Sequence, residues 1–260
     1  MKLSVGDVEA FVATGGREFD SSLPAVVFLH GAGFDRSVWA LHTRWFAYHG
    51  FAVLAPDLPG HGRSSGAALP TIAAMADWTA ALLKAVGVAK AHLIGHSMGS
   101  LIALEAAARH PDKVSALSLI GTAATMTVGP DLLKAAAAND PSAIDMMSVW
   151  GLGFKAELGG SLAPGLWMHG GTQRTLQDCA PGVLHIDLAA CNSYENALAA
   201  AASVKVPTTV ILGERDMMTP VKAGKTLAAA IPHARTVVIP GAGHMIMAER
   251  PDELLAVLKS

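Results

Sequence analysis

The stretch Ala91-His92-Leu93-Ile94-Gly95-His96-Ser97-Met98-Gly99 decides the fold of this 260-residue chain. Its first half is a short apolar run, which is typical of a strand buried on both faces of a parallel sheet. Its second half passes directly into the helical pattern of residues 98–110. Glycines at positions 95 and 99 allow a turn that is too tight for larger side chains. The stretch therefore predicts a strand, a sharp turn at Ser97 and a helix.

Similar apolar runs alternate with helical patterns along most of the chain. The predicted strands are residues 25–30, 51–55, 91–95, 114–120, 208–213 and 235–240. The predicted helices are residues 37–49, 72–86, 98–110, 221–230 and 253–259. This alternation predicts an α/β fold with a doubly wound, mostly parallel sheet. Weaker strands within residues 2–13 are expected to pair antiparallel at one edge of that sheet.

The alternation is interrupted between residues 122 and 203, where helical pieces and repeated glycines occur without a convincing strand. We interpret this segment as a helical insertion. Residues 1–121 and 204–260 would then form the α/β core, and residues 122–203 a lid. Ligands bind at the carboxyl ends of the strands in such sheets, so an insertion at that edge would cover the binding crevice.

The composition argues against several classes of protein. The formal net charge is −2 and no block of like charge occurs, so we expect neither a nucleic-acid partner nor a membrane partner. No signal segment and no membrane-spanning run are expected, and Cys179 and Cys191 are interpreted as reduced thiols of a cytoplasmic protein. The sequence predicts no metal site and no cofactor, and it leaves the oligomeric state open.

Ser97 is a candidate nucleophile, because the predicted turn would lift its hydroxyl clear of the sheet. A serine hydroxyl needs a base, and His244 lies just beyond the last predicted strand, at the same sheet edge. The base needs a carboxylate, and Asp216 follows the fifth predicted strand, with Glu214 as a nearby competitor. The loop after the fourth strand contains no acid, which favours Asp216. His96 is interpreted as a packing residue.

Two backbone N–H groups are predicted to bind the oxyanion of an acyl-transfer reaction. One belongs to Met98, directly after the candidate nucleophile. The other is that of Ala32, in the early loop His30-Gly31-Ala32-Gly33. Its glycines would let the backbone approach a substrate closely, and its histidine is interpreted as a brace for the loop.

Large apolar side chains are expected to line a substrate pocket. Met98, Met217 and Met245 each neighbour one of the three candidate catalytic residues, and methionine adapts its shape to varied apolar groups. For each single residue, packing of the lid onto the core is the better interpretation, and contact with substrate stays open. The lid candidates are Trp150, Phe154, Leu166, Trp167 and Met168.

Five motifs occur along the chain in a fixed order. They are His30-Gly31-Ala32-Gly33, Asp-Leu-Pro-Gly-His-Gly-Arg-Ser at 57–64, the pentapeptide at 95–99, Gly-Glu-Arg-Asp at 213–216, and Gly243-His244 with Glu249-Arg250-Pro251. Together they resemble the α/β-hydrolase superfamily, specifically its lidded esterase-like branch, over nearly the whole length. The resemblance implies that Ser97, Asp216 and His244 are a catalytic triad and that Ala32 and Met98 form the oxyanion hole.

The predicted function is hydrolysis of carboxylic esters with small to medium apolar groups, through an acyl-enzyme. The expected partner is thus a small-molecule ester. A carbon–carbon bond hydrolase of the meta-cleavage type, a lactonase, a thioesterase or a perhydrolase would keep the same triad, so these enzymes remain open. A ligand receptor that retains the triad as a binding pocket is the alternative outside enzymes.

Overall fold

The computed structural model describes residues 1–160 and 167–260, and within them eight strands form one sheet. The strands are β1 (Lys2–Val5), β2 (Val8–Ala13), β3 (Ala25–Leu29), β4 (Ala52–Pro56), β5 (Ala91–His96), β6 (Val114–Ile120), β7 (Thr208–Gly213) and β8 (Arg235–Ile239). Their order is β1-β2-β4-β3-β5-β6-β7-β8. The first two pairings are antiparallel and the other five are parallel. The predicted sheet with its antiparallel edge is thus confirmed.

Helices flank this sheet. The α-helices of the described residues are α1 (Ala40–Tyr48), α2 (Ile72–Ala85), α3 (Met98–Arg109), α4 (Pro130–Ala137), α5 (Pro141–Gly151), α6 (Phe154–Glu157), α7 (Met168–Gln177), α8 (Val183–Asn192), α9 (Ala197–Ser203), α10 (Val221–Ala230), α11 (Ile246–Glu249) and α12 (Pro251–Leu258). α2 and α3 pack on each other, and α3 packs on β5 and β6. No helix in this part of the chain has the length and apolarity needed to cross a bilayer.

The element boundaries depart from the predicted ones by small steps that have local causes. β3 ends one residue early, because the chain turns away from the sheet at His30. The helix predicted for residues 37–49 begins as a 3₁₀ turn, Arg36–Trp39, in which the side chain of Asp35 accepts the N–H of Ser37. The last helix starts at Pro251, since proline fits the first turn of a helix.

Six of these helices, α4 to α9, lie between β6 and β7. The described part of residues 122–203 contains no strand, as expected. α9 packs against α3 and α10, two helices that also contact the sheet. Tyr194 and Asn196, just before α9, both donate hydrogen bonds to Glu105 of α3, at 2.7 and 2.9 Å. The division of the chain into a core and a lid at residues 121/122 and 203/204 stays a prediction.

The strand register brings the candidate loops to one edge of the sheet. Gly95 of β5 is paired with Leu29 of β3 on one side and with Leu119 of β6 on the other. Gly213 of β7 is paired with Ile239 of β8. Because these strands are parallel and end in register, the loops that follow β3, β5, β7 and β8 leave the sheet at the same edge.

Candidate active site

Ser97 forms a strained turn between β5 and α3. Its backbone has φ 53° and ψ −120°, a left-handed φ that a residue other than glycine rarely adopts. Its N–H donates to the carbonyl of Ile120 at 2.9 Å, and its carbonyl accepts the N–H of Ser100 at 2.8 Å. A Cβ at Gly95 would collide with backbone atoms of Gly99. The turn therefore needs its glycine, for the steric reason that the sequence suggested.

His244 and Asp216 are joined by a buried hydrogen bond. Nδ1 of His244 lies 2.7 Å from Oδ2 of Asp216. Oδ1 of Asp216 accepts the N–H groups of Met218 and Thr219, each at 2.8 Å, and Oδ2 also accepts the hydroxyl of Thr219 at 2.7 Å. Since an ionised carboxylate only accepts, Nδ1 of His244 carries a hydrogen, and in the neutral form of the ring the free lone pair is therefore on Nε2. This is the tautomer that a general base requires.

The surroundings of Asp216 keep it ionised. Burial acts to raise the pKa of this carboxyl, but the charge of His244 and the hydrogen bonds from His244 and Thr219 outweigh burial and lower the pKa. The competitor Glu214 is not in this network. Its half-exposed carboxylate accepts the N–H of Gly241 at 2.9 Å and lies 3.7 Å from Arg215.

His96 connects the turn at Ser97 with the loop of His244. Nε2 of His96 donates to the main-chain carbonyl of His244 at 2.9 Å, and the two imidazole rings lie 4.7 Å apart. Burial, together with the charge of His244, lowers the pKa of His96 to about 3, so its ring is neutral. A Cβ at Gly121 would lie 3.1 Å from the ring of His244 and 3.4 Å from that of His96. The end of β6 thus packs against both rings.

The loop after β3 lies against the nucleophile turn. A Cβ at Gly31 would be 3.2 Å from Cβ of Ser97. His30 shapes the loop, since its Nδ1 donates to the carbonyl of Gly31 at 2.9 Å and its Nε2 accepts the N–H of Leu58 at 3.2 Å. Burial, and next the charge of a neighbouring histidine, lower the pKa of His30 to about 4. The ring of His30, which is predicted to brace the loop, is therefore neutral.

The two residues that are predicted to form the oxyanion hole also lie at this edge of the sheet. Met98 is fully buried at the first position of α3, where an N–H group has no acceptor within the helix. Ala32 is buried in the loop after β3. Gly33 has a left-handed φ of 71°, and its N–H donates to Oδ2 of Asp187 in α8 at 2.8 Å. The role of Ala32 and Met98 stays a prediction.

The structure places six of the predicted pocket residues in two cavities, whereas Met98 is fully buried and lines neither. Trp167, Met168 and Met245 line a cavity of about 200 Å³ together with Phe34 of the loop after β3. Trp150, Phe154 and Met217 line a separate groove of about 790 Å³, beside the loop of Glu214. Leu166 lies outside the described residues. Their predicted contact with substrate stays a prediction, and the structure brings them together as two groups rather than one.

Three side chains with roles at this edge were missed by the sequence analysis. Thr219 donates to Asp216, and Glu249 accepts the N–H groups of Gly243 at 3.0 Å and Gly153 at 3.0 Å. Asp187 accepts from Gly33 and is completely buried. The sequence signals for these residues were weak. Asp187 is a single acid within the apolar run of α8, and Glu249 is the acid of the motif Glu249-Arg250-Pro251.

Comparison with known proteins agrees with this architecture. A family model described as the alpha/beta hydrolase family matches residues 26–257. The pimeloyl-[acyl-carrier protein] methyl ester esterase of Chromobacterium violaceum is 34% identical over 236 residues, which are 85% of this chain and 87% of that protein. The enzyme of the same name from Aromatoleum aromaticum is 31% identical over 254 residues, or 91% and 97% of the two chains.

Among solved structures, the enol-lactonase from Burkholderia xenovorans superposes with a TM-score of 0.89 at 25% identity, and covers 100% of this chain and 98% of its own. The chain belongs to the α/β-hydrolase family. It is a carboxylesterase-like member of that family, as the five motifs predicted.

Proposed function

We propose that the protein is a serine hydrolase that cleaves carboxylic esters through an acyl-enzyme. The observation that carries the proposal is the 2.7 Å hydrogen bond between Asp216 and His244, at the same sheet edge as the strained turn of Ser97. A nucleophile, a base with the correct tautomer and an ionised acid are the three parts that acyl transfer to serine requires.

In this mechanism Ser97 attacks the ester carbonyl while Nε2 of His244 takes its proton. Asp216 holds the imidazole in place and stabilises the imidazolium. The N–H groups of Ala32 and Met98 bind the oxyanion, and one such donor contributes about 3 kcal/mol to lowering the barrier. The alcohol leaves with the proton from His244, and water then attacks the acyl-enzyme by the same steps in reverse.

The substrate class that we propose is an ester with small to medium apolar groups. A cavity lined by Phe34, Trp167, Met168 and Met245 supports this class, because about 200 Å³ with mostly apolar walls accommodates a short acyl or alcohol group. None of the three candidate catalytic residues lines this cavity, but Met245 directly follows His244. Residues of the insertion supply two of these four side chains, which supports the further proposal that residues 122–203 act as a lid over the site.

A lactonase is the second candidate function. A lactone is an internal ester, so the same three residues can open it through the same acyl-enzyme. The specific observation in its favour is the superposition over the whole chain on an enol-lactonase. The two candidates differ in the leaving group, which stays attached to the acyl chain when the substrate is a lactone.

A substrate panel tests both candidates. It should contain p-nitrophenyl esters of increasing acyl length, apolar methyl esters, γ- and δ-lactones, a thioester and a dienoic keto-acid, each assayed with wild type and Ser97→Ala. Short apolar esters should be hydrolysed by wild type alone, and a fluorophosphonate probe should label Ser97 alone. Selective cleavage of the keto-acid would favour a carbon–carbon bond hydrolase. Tight binding of a small molecule without turnover would favour a receptor.

The proposed partner is a small-molecule ester, with neither a nucleic acid nor a membrane as a partner, and the proposed location is the cytoplasm. The two thiols support that location, because unpaired cysteines are usual in a reducing compartment. Cys179 and Cys191 are both free, and Cys191 is buried.

A further inference from the structure

Asp187 of α8 is a buried carboxylate that touches the loop after β3. Its Oδ2 accepts the N–H of Gly33 at 2.8 Å and a hydrogen bond from Nε2 of His61, also at 2.8 Å. Its other oxygen, Oδ1, is buried and has no hydrogen-bond partner within the described residues. All the hydrogen bonds of this carboxylate therefore converge on one oxygen, which binds an inserted helix to the loop beside Ser97.

The hydrogen bonds of His61 require a doubly protonated ring. Its Nδ1 lies 3.0 Å from the carbonyl oxygen of Pro59, and its Nε2 lies 2.8 Å from the carboxylate of Asp187. Both partners only accept when Asp187 is ionised, so each ring nitrogen then carries a hydrogen and the imidazole is charged. Burial acts to lower the pKa of His61, but the hydrogen bond and the charge of Asp187 outweigh it and raise the pKa. His61 and Asp187 thus form a buried ion pair.

This ion pair lies one residue from the predicted oxyanion donor. The amide of Gly33 follows Ala32 directly, and the left-handed φ of Gly33 fixes the direction in which the loop leaves it. A Cβ at Gly33 would lie 2.8 Å from Leu184 and 3.0 Å from Leu176, so inserted helices α7 and α8 both pack on this point of the loop. Asp187 supplies the polar contact and the two leucines supply the apolar one.

We propose that Asp187, held by His61, is a positioning residue that fixes the loop 31–33 so that the N–H of Ala32 points at the oxyanion. The inference rests on the proposed function. It adds that an inserted helix contributes to transition-state binding through the backbone of the core. A misplacement of about 1 Å at a reacting centre lowers a rate by roughly 100-fold, so a small shift of this loop has a measurable effect.

The test compares Asp187→Ala with wild type, with rates normalised to the sites that a fluorophosphonate labels at completion. Loss of the acceptor should lower kcat about 10- to 100-fold and leave KM within about threefold, because the donor acts in the transition state. Affinity for a trifluoromethyl ketone, which imitates the tetrahedral intermediate, should fall by the same factor. A kcat within about twofold of wild type would overturn the inference.

Asp145→Ala is the matched control. Asp145 also belongs to an inserted helix, α5, but it is exposed, and among the described residues it accepts a hydrogen bond from Gln173 alone, at 3.0 Å. The kcat of Asp145→Ala should stay within about twofold of the wild-type value, as is usual for a surface substitution.

Asp187→Asn keeps the volume of the side chain and an acceptor for Gly33, so it decides the question if Asp187→Ala does not fold. This variant should recover part of the kcat that Asp187→Ala loses.

The wild-type kcat should fall as pH rises through the raised pKa of His61. This descending limb of the pH profile should move to lower pH in Asp187→Asn. A pH profile and kcat identical to wild type would refute the inference. Within the described residues, the other titratable or charged groups around the pair are His30, Asp35, Arg36, Asp57, Arg63, Asp178, Cys179 and Cys191.

The outcomes also separate this inference from the proposed function. If wild type hydrolyses no ester and Ser97 takes no label, the proposed function fails. If wild type is active and both Asp187 variants match it, only the positioning role fails. The ¹⁵N shifts of the His61 ring check the charge independently of activity, because a neutral ring at neutral pH would contradict the ion pair.

Discussion

His96, the residue before Ser97, donates a 2.9 Å hydrogen bond from Nε2 to the main-chain carbonyl of His244. The two residues are 148 positions apart in the sequence, yet this contact links the turn of Ser97 to the loop of His244. In the proposed mechanism, the distance between nucleophile and base therefore depends on a neutral, buried histidine.

Replacing His96 by phenylalanine should misplace the loop of His244. We expect kcat to fall about tenfold or more with a small change in KM, since the geometry of the base is lost while the binding surface stays. His92→Phe is the control, because His92 lies on the same strand but contacts Ser118 instead, at 2.9 Å. Equal kcat values for the two variants would refute the bracing role.

Asp216→Asn should lower kcat about 10⁴-fold, because an amide no longer holds the tautomer of His244 that can accept a proton. Steady-state kinetics on a p-nitrophenyl ester provides the measurement. Glu214→Gln is the matched control, and its kcat should stay near that of wild type. If Glu214→Gln were the more damaging change, the assignment of the acid to Asp216 would be wrong.

Glu249 holds two backbone amides of different segments. Glu249→Ala leaves the buried N–H groups of Gly243 and Gly153 without an acceptor, which should lower the free energy of unfolding by about 2–5 kcal/mol. Burial, the largest influence, raises the pKa of Glu249 despite these hydrogen bonds, so Glu249→Gln should be far milder. Urea unfolding measures both variants, with exposed Glu253→Ala of α12 as control. Equal losses in the Ala and Gln variants would contradict this account.

Four histidines that burial keeps neutral should make the fold sensitive to acid. Burial is the main cause that lowers the pKa of His30, His42 and His92 to about 4 and that of His96 to about 3, against an ordinary 6.5. Between pH 6.5 and about 4 the unfolded chain therefore binds protons that the folded chain does not. Stability should fall with decreasing pH in this window by up to about 1.4 kcal/mol per pH unit for each histidine.

Urea unfolding at a series of pH values measures this dependence. His42 lies on α1, its ring 5.9 Å from that of Trp39, and is not part of the candidate site. His42→Phe should therefore reduce the slope of the unfolding free energy against pH by the contribution of one histidine. A free energy of unfolding that does not change between pH 6.5 and pH 4 would show that these rings are not buried as neutral groups.

Most of the sheet follows from local sequence. Largely apolar runs predicted the bounds of β6 and β7 without error, because strands buried on both faces are rich in apolar residues. The turn at Ser97 was equally predictable, because the steric requirement for its two glycines lies within a pentapeptide. Ser97, Asp216 and His244 were expected at one edge of the sheet, because each follows a strand of the same parallel sheet and these strands all end at that edge.

The site beyond these residues depends on contacts between distant segments. Gly33 and Asp187 are 154 positions apart, and no local pattern relates them. Sequence adjacency also fails to predict where a side chain points. Met217 and Met245 each follow a candidate catalytic residue, but Met217 is 68% exposed while Met245 is 3% exposed. The direction of each side chain is set by the turn that carries it and by packing that the sequence does not display.

Mass spectrometry of the protein, quenched during turnover of a slow p-nitrophenyl ester, reveals whether Ser97 carries the acyl group. We expect a covalent acyl group on the peptide that contains Ser97, formed together with a burst of p-nitrophenol, and neither of them in Ser97→Ala. Undiminished turnover by Ser97→Ala, or an acyl group on a different residue, would contradict this expectation.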